Sequence, residues 1–408
     1  MKRPADTGVR VLHLDHTIEK GGAEFALLRI LLASHSWDAS LSLPRQRSDG
    51  AGVYEPLVST AGVDLLFSGP AQQYGASSGG LFSSVVFAAR AFGQSFSLIG
   101  SNAFRESDLI HANTSRSAVY GALASWIAKK PLIVHLRDSV DATSMGRAGF
   151  ILFTKFALRV AGGVIANSQS TLDSALPYLS PRVLRAVIPS AAGILEGTSE
   201  ADSIVSGEVR TVGMLARIDP WKGQDLLLRA FARQFAKTPT RLVLAGGAAF
   251  GHTDFRDRLI VLAEQLGIAD QVDFLGHVND VGSLLSQFDV CVQASRRPEP
   301  LGQNVLQYLA AGKVTIATRQ GGPGEWITDQ KNGLLFEMND VDSLSDALGR
   351  VALDRNLRMK LAAGARATPG LRSDAEIASE HGEFFRRCLA VVPSRRQLTL
   401  VESASNAN

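Results

Sequence analysis

Residues 209–231, VRTVGMLARIDPWKGQDLLLRAF, decide how the chain is read. The run VRTVGML has the near-continuous apolar character of a strand buried on both faces. Pro220 and Gly223 then break the pattern, and QDLLLRAF resumes it with helical spacing. A strand, a loop and a helix in that order open a parallel βαβ unit. Toward the C-terminus the theme recurs: RLVLAGG from 241, a helix to Gly267, VDFLG from 272, DVCVQAS from 289, a helix from about Gly302 to Ala311, VTIAT from 314 and GLLF from 333. Toward the N-terminus it recurs less regularly, in VRVLHLD from 9, the helix of GGAEFALLRILLA, LIHAN from 109, LIVHLR from 132 and GVIANS from 163. The sequence predicts an α/β protein of two doubly wound, Rossmann-like domains.

A chain of 408 residues, 45% hydrophobic and 20% charged, has apolar material for two such cores. The predicted domains are residues 1–190 and 209–390. Between them, 191–208 is small, polar and acidic like a linker, and 391–408 reads as a disordered tail. A net charge of +3 is too small for a protein that coats nucleic acid. The charge is uneven, with 18 basic and 13 acidic side chains through residue 190 and 24 against 26 beyond it, so the first domain is the one expected to meet an anionic surface. The two cysteines, Cys291 and Cys388, are far apart in sequence and in no metal-ligand spacing. The opening MKRPADTGVRVLHLD holds no long apolar region, and no stretch offers about 20 consecutive apolar residues, so neither a secretory leader nor a membrane span is expected.

The residues suited to chemistry fall in loops after strands, where ligands of doubly wound folds bind. Arg217 and Lys222 flank a helix start, where dipole, free N–H groups and two cations suit a phosphate. Glu299 follows a strand, Gly302 opens a helix, and Gln307 lies on it eight positions after Glu299, a spacing that can divide two sets of hydroxyls. Solvated helix starts account for the same residues when each segment is taken alone.

Together the segments resemble the retaining glycosyltransferases of family 4, which have the GT-B fold. Gly21, Gly22, Ala23 and Glu24 are similar to the family's loop after the first strand. Arg217 and Lys222 match its Arg-x4-Lys pair, and EPLGQNVLQYLAAGK matches its Glu-x7-Glu segment. GGPGEWITDQKNGLLF and ANSQSTLDSAL resemble two further family stretches. One departure stands out: the family's second Glu is Gln307 here, and an amide makes a weaker, uncharged hydrogen bond to a ribose.

The resemblance implies two facing domains with a cleft, and transfer of a sugar from a UDP- or GDP-linked donor to an acceptor hydroxyl without a metal or other cofactor. Arg217, Lys222 and the Gly21 and Gly22 amides would hold the diphosphate, Glu299 the sugar, and His135 would position the donor. His277, Val278, Gly302, Gln303, Asn304, Val305 and Gln307 would complete the donor site. A sugar or lipid-linked sugar is the expected acceptor, on the first domain, in synthesis of a cell-surface polysaccharide or glycolipid. Residues 129–190 carry eight basic and three acidic side chains, and the segments GRAGFILFTKFALRV and GGLFSSVVFAARAFGQSFSLIG are rich in Phe. They raise the expectation of a cytoplasmic enzyme in contact with the inner face of an anionic membrane. Two alternatives are a catalytically impaired homologue serving as a nucleotide-sugar-binding partner subunit and a sugar-nucleotide epimerase. A nicotinamide dehydrogenase fits poorly, because no G-x-G-x-x-G follows the first strand.

Overall fold

The computed structural model describes residues 8–45, 50–59, 63–70, 81–194, 207–248 and 253–391. The chain divides into two compact units, residues 1–190 with 373–408, and residues 191–372.

The first unit is built on seven parallel strands: β1 Val9–Leu14, β2 Trp37–Pro44, β3 Val63–Ser68, β4 Leu109–Ala112, β5 Leu132–Leu136, β6 Gly163–Ala166 and β7 Leu184–Val187. Their order is β3-β2-β1-β4-β5-β6-β7. The second holds six parallel strands: β8 Thr211–Leu215, β9 Arg241–Ala245, β10 Val272–Gly276, β11 Val290–Gln293, β12 Val314–Thr318 and β13 Leu334–Phe336, in the order β10-β9-β8-β11-β12-β13. Both are doubly wound sheets of the kind expected. Each reverses its direction of growth beside its first strand, at β1/β4 and at β8/β11, and that reversal opens a crevice at the strands' carboxyl ends.

The strands form where the sequence is apolar on both faces. Val212, Leu244, Val292 and Ile316 of the second sheet are buried, and the helix Gln224–Phe235 covers them with Leu227, Phe231 and Phe235. Three strands of the first unit, β2, β3 and β7, escaped the sequence reading. WDASLSLP of β2 carries Asp38 and two serines, yet Ser42 is buried and hydrogen-bonded to Ser68 of β3 at 3.0 Å, so the buried hydroxyl is satisfied across the pair.

The helix Asp374–Val391 corrects the expected second boundary. It was placed with the domain 209–390, whereas the structure packs it on the first unit. Its stripe of Ile377, His381, Phe384, Phe385 and Cys388 is buried there. Gly163 of β6 makes room for Phe384, since a Cβ at that position would stand 3.0 Å from the ring, and Arg29 binds Asp374 at 2.7 Å. Of the predicted linker, residues 195–206 lie outside the described residues, as do 392–408 of the predicted tail.

Candidate functional site

In the second unit the loops after β8 and β11 meet at the reversal point. Gly223 makes the meeting possible: its φ is +76°, and a Cβ there would stand 1.9 Å from the carbonyl oxygen of Ala294. Any other residue would push the loops apart. The side chain of Asp219 accepts the Trp221 N–H at 3.2 Å and sets up the short turn Pro220–Lys222. That turn aims Lys222 across the junction, where Nζ lies 2.6 Å from Oε1 of Glu299. Ser295 Oγ donates to the same oxygen at 2.5 Å. The Trp221 ring supports the ammonium from 3.9 Å, and the guanidinium of Arg297 stands 4.5 Å from the same ring.

The Lys222 and Glu299 side chains are only 18% and 7% exposed, so each charge depends on the other. Arg217 reaches Asp219 at 3.6 Å and stays one-third exposed, a cation held at the mouth of the same loop. The helices Gln224–Phe235 and Gln303–Ala310 both begin on glycines, Gly223 and Gly302, which bring no capping side chain to the first-turn N–H groups. Chemically this is a crevice that gathers two cations and two uncapped helix starts, an arrangement suited to an anion, beside a carboxylate able to accept hydrogen bonds from hydroxyls.

The structure thus brings Arg217, Lys222, Glu299 and Gly302 to one reversal point. Other predicted donor-site residues are engaged elsewhere. Gln303 donates to the Ala191 carbonyl at 2.8 Å and Asn304 to that of Leu215 at 3.0 Å, while Val305 is buried in the core. Gln307 is half-buried on the helix. His277 is exposed beyond the edge strand β10, with Nε2 3.1 Å from Asn279 Oδ1, and Val278 beside it is half-buried.

In the first unit Gly21 and Gly22 begin the helix Gly22–Leu32, and Glu24 folds back toward them so closely that a Cβ on Gly21 would stand 2.2 Å from its Oε2. Burial, and next the charge of Asp15, push the Glu24 carboxyl up to about 8, which keeps it protonated at neutral pH. Asp15, just past β1, is fully buried and accepts from Tyr54 Oη at 2.5 Å, Asn113 Nδ2 at 2.8 Å and the His16 N–H at 2.6 Å. Arg137, just past β5, donates to Asn113 Oδ1 through Nε at 3.1 Å and Nη2 at 2.9 Å, and to Ser190 Oγ at 3.1 Å. Asp15, Asn113 and Arg137 therefore form a hydrogen-bonded ladder across three strand ends. Asp15, His16 and Glu24 bring one donor atom each within 4.8 Å of one another. Hydrogen bonds from Tyr54, Asn113 and the His16 N–H engage both Asp15 oxygens, which makes the group a hydrogen-bonded hub.

His135 needs correction. The resemblance gives it the role of positioning the donor, but it lies inside β5, fully buried, with its ring 5.4 Å from that of His381 on the C-terminal helix. In a strand, alternate residues share a face, so the residue presented beyond the strand end is Arg137. Sequence reasoning missed Asp15, Tyr54 and Asn113 altogether. The signal was present as a repeat, His-x-Asp, His-x-Asn and His-x-Arg, at the ends of β1, β4 and β5. Of the segment GRAGFILFTKFALRV, proposed from the sequence to face a membrane, several apolar side chains turn into the unit. Phe153 and Leu158 are buried, Phe150 packs edge-on against Tyr178 at 5.4 Å, and Phe156 is half-buried, while Ile151 is exposed.

Two Rossmann-like units on parallel sheets define the fold class, and comparison with known proteins agrees with it. Residues 198–368 match the family described as "Glycosyl transferases group 1". The chain is 35% identical over 112 residues to the lipopolysaccharide core biosynthesis glycosyltransferase LpsE of Rhizobium meliloti, covering 28% of this chain and 33% of that one. It is 31% identical over 212 residues to a D-inositol 3-phosphate glycosyltransferase of Corynebacterium jeikeium, covering 48% and 50%. The aligned segments thus span a third to a half of these curated relatives. Among solved structures, Anabaena HepE in complex with UDP-glucose is similar with a TM-score of 0.75 and 25% identity, over 91% of this chain and 98% of that one. The fold is GT-B.

Proposed function

We propose that the protein is a glycosyltransferase that moves a sugar from a nucleoside diphosphate donor to an acceptor hydroxyl, with retention of anomeric configuration. The observation that carries this reading is the Lys222–Glu299 contact of 2.6 Å at the β8/β11 reversal point, inside the segment that matches the glycosyl transferase family. In the reaction the bond from sugar C1 to the diphosphate oxygen breaks, the acceptor oxygen bonds to C1 on the same face, and the acceptor proton passes to a diphosphate oxygen. Negative charge grows on the departing diphosphate, and Lys222 and Arg217 are the groups placed to neutralise it. Once Lys222 turns to the diphosphate, Glu299 is released to accept the sugar hydroxyls that orient the ring.

The donor is a UDP- or GDP-linked sugar, the uridine form being favoured by the ligand of the HepE structure. The acceptor is a sugar or glycolipid served by the polar cluster around Asp15 and Arg137, and the LpsE similarity favours cell-surface saccharide synthesis. Among the described residues no helix is long and apolar enough to cross a membrane. Phe92 and Phe96, one turn apart on the helix Leu81–Gly100 and 53% and 62% exposed, are the groups proposed to touch an anionic bilayer.

Thermal unfolding against UDP, GDP and their sugars tests the donor. A nucleotide at about 100 times its dissociation constant adds roughly 2.7 kcal/mol, and no shift with any of them would remove the reading. A second reading, a partner subunit that binds donor with little turnover, is favoured by Gln307. Turnover raised by Gln307→Glu would support it, and unchanged turnover would dismiss it.

A further inference from the structure

The His-x-[Asp/Asn/Arg] repeat places a second ladder beneath the first. His13, His111 and His135 lie two residues before Asp15, Asn113 and Arg137, so they occupy the same face of the sheet one layer deeper. Trp37 Nε1 lies 3.0 Å from His13 Nε2, His13 Nδ1 lies 2.9 Å from His111 Nδ1, and His111 Nε2 lies 3.2 Å from His135 Nδ1. All three rings are fully buried.

The indole N–H can only donate, and that fixes every proton along the row. His13 must accept at Nε2 and, as a neutral ring, donate from Nδ1. His111 then accepts at Nδ1 and donates from Nε2, and His135 accepts at Nδ1 and carries its proton on Nε2. At the far end stands His381, buried on the helix Asp374–Val391, whose Nδ1 lies 2.7 Å from the Ile377 carbonyl oxygen and so bears a proton. Its Nε2 is left with a lone pair. His135 Nε2, a donor, and His381 Nε2, an acceptor, are both buried without a partner, on rings 5.4 Å apart. One internal water would satisfy both.

We propose that Trp37, His13, His111, His135 and His381 form an ordered relay that latches the C-terminal helix onto the first unit while the rings are uncharged, and that acidification opens this latch. The chain crosses between the units after Ser190 and again after Arg372, so an open latch frees the second return. Every charged or titratable group acting on the rings opposes a proton. Arg137, past β5, acts on His111, His135 and His381; the rings act on one another; and His35, stacked on Trp37 at 4.5 Å, acts on His13. Trp37 of β2 and Phe385 of the helix complete the surroundings without charge, their rings 5.1 Å apart. Burial is the largest cause for all four rings, and pushes His381 down to about 4.

The sign follows. Between about pH 4 and 6.5 the closed latch binds fewer protons than the open one, so its stability is complete above about 6.5 and is lost as the pH falls toward 4. Each ring adds up to tenfold per pH unit to the opening equilibrium.

Two measurements on the full-length wild-type protein test this. Nitrogen-detected NMR at pH 7.5 should find the proton on Nδ1 of His13 and His381 and on Nε2 of His111 and His135. A charged ring, or the other tautomer at His13 or His111, would overturn the relay. Hydrogen exchange, corrected for intrinsic rates, should show protection of residues 374–391 falling at least about 100-fold from pH 7.5 to 5.5, the amount two freely titrating rings supply. Residues 224–235 of the second unit should fall less than tenfold. Unchanged protection of the C-terminal helix, or equal losses in both helices, would overturn the latch. His381→Gln should reduce the steepness by about tenfold per pH unit. An unaltered slope would also count against the proposal, and where that variant fails to fold the wild-type measurements decide.

Discussion

The two units carry polar clusters at equivalent places in their sheets, yet they assemble them differently. In the second, the side chains come from two loops, 216–223 and 294–302, each readable as a short motif, and they join in one buried ion pair between Lys222 and Glu299. In the first, one residue comes from each of several strand ends, and the result is a neutralised ladder of Asp15, Asn113 and Arg137 tied to Tyr54 and Ser190. An ion pair whose members can part is suited to exchanging its partner for a substrate. A ladder in which each polar group already has one is suited to holding a fixed surface.

The sharpest way to break this contrast is at Lys222. Lys222→Ala should lower turnover by on the order of 10²-fold or more, and because it strands a buried carboxylate it should also cost about 3–5 kcal/mol of stability. The double variant Lys222→Met with Glu299→Gln should recover most of that stability in urea unfolding and none of the turnover. A double variant as unstable as the single would mean the pair is not the unit it looks like. Arg137→Lys comes next. A lysine cannot fork onto Asn113 and reach Ser190 at once, so unfolding should show a loss of about 2–3 kcal/mol. A loss below about 0.5 kcal/mol would remove the ladder from the account.

The smallest effect is expected at Glu24. Burial holds its carboxyl up at about 8 in the folded protein, against about 4.5 when unfolded, so between those limits only the folded protein binds the proton, and the stability this supplies is complete below about 4.5 and gone above about 8. Glu24→Gln, which imitates the protonated acid, should be close to wild type at about pH 4 and increasingly more stable than it as the pH rises to about 8. A difference between the two proteins that does not grow with pH would place the Glu24 carboxyl in water.

Residue order determined a good deal by itself. Runs such as VTIAT and LIVHL are apolar on both faces and must be buried on both, which dictates parallel strands under helices. Arg217, Lys222 and Glu299 were legible because each sits a few residues after such a strand, where local spacing already forces it to the sheet's edge. The strand β2 was not legible, since its serines look exposed until Ser42 meets Ser68. Nor was the ladder of the first unit, whose members lie 98 and 24 residues apart and meet only through strand order and register. The same holds for the C-terminal helix. Its apolar stripe announces that it must be covered, but a stripe carries no address, and only the fit of Phe384 over Gly163 and of His381 beside His135 decides which unit covers it. Periodicity reports the burial of a segment because burial is local to its own side chains, whereas the choice of partner depends on shape and hydrogen-bond complementarity between segments that only the folded chain brings together.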